Sequence, residues 1–373
     1  MQTKVRNRVA EVRQRRGVAA ADLARRVGVS RQTIYAIEAG SYVPNTEVTL
    51  KLSRELEVSV EELFSLEGEK SEPRAGLKCE LLSATEPAKG QAVRIGRVGN
   101  RLVSVPVNAS PYYLSEADGV ISKVSRPQKN AELFVFSDED GFRKRLLLAG
   151  CDPAVGLVAS MVEKAAGIDV LTAAASSKLA LHWLKEGKVH IAGSHLQDPS
   201  SGDFNVPYVR REFPNDDLVI ITFARWEEGI VTARRNPKAV MTIADFARKD
   251  VRMINREEGS GSRALLDRLL GEAGIAAKKI HGYDRVAHGH LAVAYAVYSE
   301  QVDCCLATRS AAQAFGLAFT PIQNERYDFV MLRQTLELPA ARAFVDTLQK
   351  ASLRRKLEGL AGYDTSQTGS VVV

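Results

Sequence analysis

The chain begins with short runs in which apolar residues recur at helical spacing among basic positions, so residues 1–66 predict a series of small helices. Leu23 and Ala24 fall on the inner face of one helix, which Gly28 can end in the left-handed conformation. Val29 plugs the turn, Ser30 caps the next helix, and Ile34 and Ile37 face the core. That leaves Arg31, Gln32, Thr33, Tyr35 and Ala36 on or near the outer side. Pro44-Asn45 opens a further helix with Val48, Leu52 and Leu56 on one face, and Ser59 to Glu62 reads as a capping box.

The pattern then changes. Residues 67–78 are charged and carry Pro73 and Gly76, as a linker does. Residues 79–142 alternate in the manner of strands, with a hairpin predicted at Gly99-Asn100, and form a small β-rich segment of unread role. From residue 143 to the end, apolar strand-like runs alternate with amphipathic helices, which predicts an α/β body with parallel strands. The fold class is therefore multidomain: an all-α helical head, a β-rich middle and a larger α/β domain.

Charge sharpens this division. Residues 1–54 hold eleven basic and four acidic residues, so the head carries +7 of a total of +6 and the remainder sums to −1. A basic head on a near-neutral body points to nucleic acid at one end only. No apolar run approaches the ~20 residues of a bilayer crossing, and the basic, polar start lacks a secretory h-region. A cytoplasmic protein is expected. Cys79, Cys151, Cys304 and Cys305 form no CxxC pair, and no disulfide is expected.

Two helices joined by so tight a turn form a helix-turn-helix unit, whose second helix enters the major groove by its N-terminal end. Residues 5–64 resemble the XRE family, the Cro and phage-repressor class, in VGVSRQTIYAIEAG, the following VPN and then LEVSVEELF. The resemblance implies that Arg31, Gln32 and Thr33 read base edges, that Ala36 offers a methyl, and that Asn45 and Thr46 hold backbone phosphate. It also implies a dimer on double-stranded operator DNA. Ala19 and Ala20 stand where the family carries Ser and Gln, so one cap and one phosphate contact are missing.

In the α/β body four helix starts are rich in small and hydroxyl residues: AGCDPAVG, AAASSKLA, NREEGSGSR and YDRVAHGHLA. Singly each reads as an ordinary cap. Together, after strands, they suggest one cleft outside the strand ends. Residues 143–362 resemble type II periplasmic-binding-protein folds, in particular the molybdate-binding family, through ASSKLALHWLKEGKVHIAGSH, NREEGSGSR and the final GYD.

That resemblance implies a two-lobed ligand sensor. Cys151, Asp152, Ser176 and Ser177 would line the first lobe. Gly259, Ser260, Gly261, Ser262, Arg263, His288, Gly289 and His290 would line the second, near a returning hinge at Ala307-Thr308. His195 and Trp226-Glu227 would reach in from crossing segments. The family's hinge tyrosine is absent at Ala307 or Thr308, and Asp152 replaces a hydroxyl, so it needs a partner such as Arg263 or protonated His288.

The effector is then a small oxyanion such as molybdate or tungstate, or a small polar metabolite, with no other cofactor. No metal centre is expected, because His288 and His290 lack a third ligand. The chain reads as a ligand-responsive one-component transcription regulator and not an enzyme, since no nucleophile elbow, Walker loop or dinucleotide fingerprint occurs. Two alternatives stand: an unliganded dimerisation scaffold, and an enzyme under DNA control using Asp152, His195, Glu227 and His288.

Overall fold

The computed structural model describes residues 5–66, 74–107, 114–125, 130–136, 142, 145–360 and 362–373. It divides into two compact units, 1–73 and 74–373.

In the first unit a short pair of antiparallel strands, β1 (Val5–Asn7) and β2 (Phe64–Leu66), closes around five helices. These are α1 (Val9–Arg15), α2 (Ala20–Val27), α3 (Arg31–Glu38), α4 (Thr46–Leu56) and α5 (Val60–Leu63). Leu23, Ala24, Ile34, Ile37, Leu52 and Leu56 make one core with Val9, Val12 and Leu63. The local signals work as predicted. Gly28 takes φ 80° after α2, Ser30 accepts the Thr33 amide, Asn45 accepts the Val48 amide, and Ser59 and Glu62 form the reciprocal box. Ala19 caps nothing with its side chain.

The second unit opens with a closed five-stranded barrel of β3 (Arg74–Leu81), β4 (Ala92–Val98), β5 (Arg101–Pro106), β6 (Gly119–Ser125) and β7 (Asn130–Val135). Strand β3 starts inside the stretch expected to be linker; its residues 74–78 pair with β7. The β4–β5 hairpin turns at Gly99-Asn100. The barrel interior is filled by Cys79, Val93, Ile95, Ile121 and Leu133. Half-buried Arg145 ties the barrel to the body by pairing with both Asp118 and Asp169.

The body follows as β8 (Leu146–Gly150), α6 (Val155–Ala166), β9 (Val170–Ala174), α7 (Ser177–Lys185), β10 (Ile191–Ser194), α8 (Val206–Glu212) and β11 (Leu218–Thr232). After these come β12 (Asn255–Arg256), α9 (Gly261–Glu272), β13 (Val286–Ala287), α10 (His290–Tyr298), β14 (Cys304–Thr308) and α11 (Arg309–Ala314). The chain ends with β15 (Ala318–Leu332), α12 (Pro339–Leu348), α13 (Ala351–Glu358) and β16 (Tyr363–Asp364).

The main sheet runs β14-β11-β15-β10-β8-β9. It is mixed and not wholly parallel: β8 pairs in parallel with β9 and β10, whereas β11, β14 and β15 pair antiparallel. Strand β8 is buried on both faces, with Leu146 and Leu148 in one core and Leu147 and Ala149 in the other.

The two long strands make the body two-lobed. On β11, Trp226 belongs to a first-lobe core and Ile230 to a second-lobe core; on β15, Tyr327 belongs to the first and Ile322 packs on the second. The chain therefore crosses between lobes at residues 227–229 and 323–326, and a β-irregularity falls between Glu228 and Gly229. Among the described residues no helix is long and apolar enough to cross a membrane.

Candidate functional site

In the head, Arg31, Gln32 and Tyr35 are exposed on α3, with Thr33 and Ala36 half-buried beside them. The Arg31 guanidinium is held by the Tyr35 hydroxyl at 2.8 and 3.0 Å, one helical turn on. Asn45 and Thr46 are exposed where α4 starts. Behind this face Glu38 receives two hydrogen bonds from Arg13, at 2.6 and 3.1 Å, which fixes α3 against α1.

In the body a cleft of about 530 Å³ opens outside the ends of β8 and β9. One wall is Cys151, Asp152 and residues 171–175; the facing wall is Glu257 and residues 288–292. The third wall comes from the barrel at Leu82–Thr85, Arg94 and Val105–Val107. The segment whose role the sequence leaves unread is thus part of the site.

Around Cys151 and His290, which line the cleft, further buried polar side chains gather. Cys151 Sγ lies 3.4 Å from His195 Nε2 and 3.9 Å from His290 Nε2. His195 Nδ1 is 2.6 Å from Glu325 Oε2, and His290 Nδ1 is 3.8 Å from Glu228 Oε2. Both carboxylates sit where a long strand crosses between lobes. Trp226 and Tyr327 wall the cluster with their rings, 5.3 and 6.0 Å from the His195 ring.

Gly261, the first residue of α9, makes the packing possible: a Cβ there would lie 2.5 Å from His195 Nδ1. Gly150 and Gly193 likewise clear space for the Tyr327 hydroxyl, which accepts the Cys151 amide at 3.3 Å.

Burial alone would strip the charge from His195, but Cys151 and Glu325 outweigh it and hold its pKa well above the ordinary value. His290 goes the other way, pushed well down by burial and then by Arg256 and His195. Burial, reinforced by Glu325, pushes Glu228 up to about 8. Asp152 is raised to about 7 by burial, although the Ala154 amide and the Tyr363 hydroxyl favour its charged form.

Six buried polar atoms at this point lack a hydrogen-bond partner: Trp226 Nε1, both Glu228 oxygens, Arg256 Nη1, Ser262 Oγ and His290 Nδ1. Each such orphan costs ~1–3 kcal/mol, so the cluster favours an occupant.

Several expectations need correction. Asp152 pairs with neither Arg263 nor His288; it takes the Tyr363 hydroxyl at 3.1 and 3.2 Å. Arg263 stacks on Tyr283 and reaches Asp267. Ser176 and Ser260 cap α7 and α9, and Ser177 accepts the His195 amide at 3.1 Å. Gly259 contacts the start of α7, its carbonyl accepting the Lys178 amide.

Thr308 caps α11, and Ala307-Thr308 ends β14 beside the crossing strand without being the returning hinge. That hinge is β15, and it does bring a tyrosine, Tyr327. Glu227 pairs with Arg309, while its neighbour Glu228 points inward. His288 and Gly289 do line the cleft, His288 at its exposed rim. Of the two histidines weighed as a pair, His290 lies beside His195 and Cys151, whereas His288 is not part of that group. Glu228, Glu325, Tyr327 and Arg256 were missed. Charged or polar residues inside apolar strands were the one sequence signal that pointed to them.

Head and body together define a helix-turn-helix transcription regulator with a two-lobed ligand-binding-type domain. The chain belongs to the family described as the PBP superfamily domain, whose model matches residues 158–349, and its residues 9–63 match the helix-turn-helix family. It is 31% identical over 253 residues to an uncharacterized protein, YvgK, of Bacillus subtilis, covering 67% of this chain and 82% of that one. The head is 42% identical over 65 residues to an uncharacterized HTH-type transcriptional regulator, YgzD, of the same organism, covering 17% of this chain and 98% of that one. Among solved structures, a tungstate ABC transporter from Geobacter sulfurreducens aligns at 16% identity with a TM-score of 0.42, over 58% of this chain and 98% of that one.

Proposed function

We propose that this chain is a one-component regulator of the cytoplasm, in which a small polar effector bound between the lobes alters the grip of a dimeric head on operator DNA. The reading is carried by the orphaned polar atoms buried around His290, which itself lines the cleft. They are of both kinds: Trp226 Nε1, Arg256 Nη1 and Ser262 Oγ can donate, and Glu228 and His290 Nδ1 can accept. A small polar metabolite carrying both donors and acceptors satisfies them together. The effector favours the closed arrangement of the lobes because it touches both.

A small oxyanion such as molybdate or tungstate is the second reading. Arg256 Nη1, left over from the ion pair with Glu257, supplies a donor for it, and burial shifts Glu228 toward its neutral form. The domain acts by binding and not by turnover in either case.

The test is a thermal-shift screen of the intact chain with molybdate, tungstate, sulfate and small amino and hydroxy acids, followed by operator gel shifts with each hit. A ligand at 100 times its Kd adds ~2.7 kcal/mol. Stabilisation by one class together with a changed operator affinity supports the proposal. A chain that no member stabilises, and that carries no small molecule when purified natively, sinks it.

A further inference from the structure

We infer that Cys151, His195 and His290 form a site for one thiophilic transition-metal cation, Zn²⁺ or Cu⁺, which ties the first lobe to the second. This goes beyond the regulator reading and holds whether or not the cleft governs DNA binding.

Three soft or borderline donors meet at one point, all within 4.8 Å of one another. A tetrahedral ion with metal–sulfur bonds of ~2.3 Å and metal–nitrogen bonds of ~2.0–2.1 Å needs sulfur–nitrogen separations of about 3.6 Å. The separations here are 3.4 and 3.9 Å. Thiolate with two imidazoles is a donor set for zinc or cuprous ion, not for magnesium or calcium.

The surroundings are those of a metal site too. Each histidine turns Nε2 to the sulfur and Nδ1 to a buried carboxylate: Glu325 at 2.6 Å behind His195, and Glu228 at 3.8 Å behind His290. A carboxylate behind a ligating imidazole fixes its tautomer and raises its basicity. His290 Nδ1 and both Glu228 oxygens are buried without partners, so the second of these pairs awaits a small adjustment. Cys151 and His290 also line the cleft, which gives a fourth ligand, water or an effector atom, a way in.

Cys151 and His195 stand at the ends of β8 and β10 in the first lobe, and His290 begins α10 in the second. One ion therefore clasps both lobes. Cys151, His195 and Glu325 alone would also suit a nucleophile, its base and an orienting carboxylate. His290, brought to the same sulfur from the opposite lobe with its own carboxylate, has no part in that scheme and is required by a metal.

The intact chain, reduced and stripped with chelator, is titrated with Co²⁺ as the probe. One equivalent should give a near-ultraviolet thiolate-to-cobalt band and intense visible bands of a tetrahedral centre, both lost when Zn²⁺ displaces the cobalt. Cys151→Ser should abolish the near-ultraviolet band. His290→Gln should weaken Zn²⁺ binding about 100-fold, and Glu325→Gln, altering a positioning residue, about 10-fold with the band retained. Zn²⁺ should also protect Cys151 of the unaltered chain from iodoacetamide, a readout that needs no variant to fold.

A pale octahedral spectrum, or cobalt binding unchanged by Cys151→Ser, overturns the site. So does alkylation of Cys151 at equal rates with and without Zn²⁺, the behaviour of a nucleophilic thiol. A cobalt-thiolate spectrum alongside operator binding that ignores every cleft ligand supports the site and overturns the regulator reading instead.

Discussion

His195 Nδ1 lies 2.6 Å from Glu325 Oε2, and both side chains are enclosed. The contact joins the end of a first-lobe strand to the point where β15 crosses between lobes, so the imidazole is oriented by the hinge itself. Glu325→Ala should destabilise the chain by about 3–5 kcal/mol, because it leaves a buried charge unpaired. Glu325→Gln, which keeps an acceptor, should cost about 1–3 kcal/mol. Urea unfolding of the two variants checks this order, and equal losses would mean that the retained hydrogen bond plays no part.

On the head, Arg31→Ala and Gln32→Ala should each weaken operator binding by ~1–3 kcal/mol and relax base preference. Both side chains are exposed at the start of α3. Competition gel shifts against scrambled duplex read the effect. Two variants with unchanged affinity and selectivity would remove α3 from the role of reader.

Two serines in the body should behave differently. Ser262 Oγ is buried and unpartnered, so Ser262→Ala should leave stability within about 1 kcal/mol while weakening the thermal response to any cleft ligand. Ser177 accepts the buried His195 amide, so Ser177→Ala should cost about 1–3 kcal/mol by leaving that amide unpaired. Denaturation with and without ligand separates the two, and an Ser262→Ala chain with an unaltered ligand response counts against the orphan-atom reading.

His190 predicts a pH dependence. Its Nδ1 accepts the Leu147 amide at 3.0 Å, which only the neutral ring can do, and burial lowers its pKa from 6.5 to about 4. The unfolded chain takes up this proton first as pH falls. The stabilisation is therefore complete above pH 6.5 and lost progressively toward pH 4, by about 3 kcal/mol. His190→Asn retains an acceptor and does not titrate, so its stability should fall less steeply over that range. Parallel curves would rule His190 out as the source.

Much of the head was legible because its signals are local. Gly28 ends a helix, Ser30 and Asn45 begin two more, and Ser59 pairs with Glu62, each within a few residues of the position it governs. In the body the same locality revealed the helix starts, and α7 begins at Ser177 within AAASSKLA. It did not reveal what the hydroxyls do: Ser176, Ser177 and Ser260 satisfy backbone amides that the sequence leaves unassigned.

By itself the sequence determined most of the helices, the basic charge of the head and its separation from the body, because capping, periodicity and charge asymmetry act over one or two helical turns. Only the tertiary structure decided the cluster. Cys151 meets His195 across 44 positions and His290 across 139, and His195 meets Glu325 across 130. No local spacing encodes contacts among two strand ends, a helix start and a long crossing strand; they exist only once the sheet has assembled and Gly150, Gly193 and Gly261 have let the side chains close in.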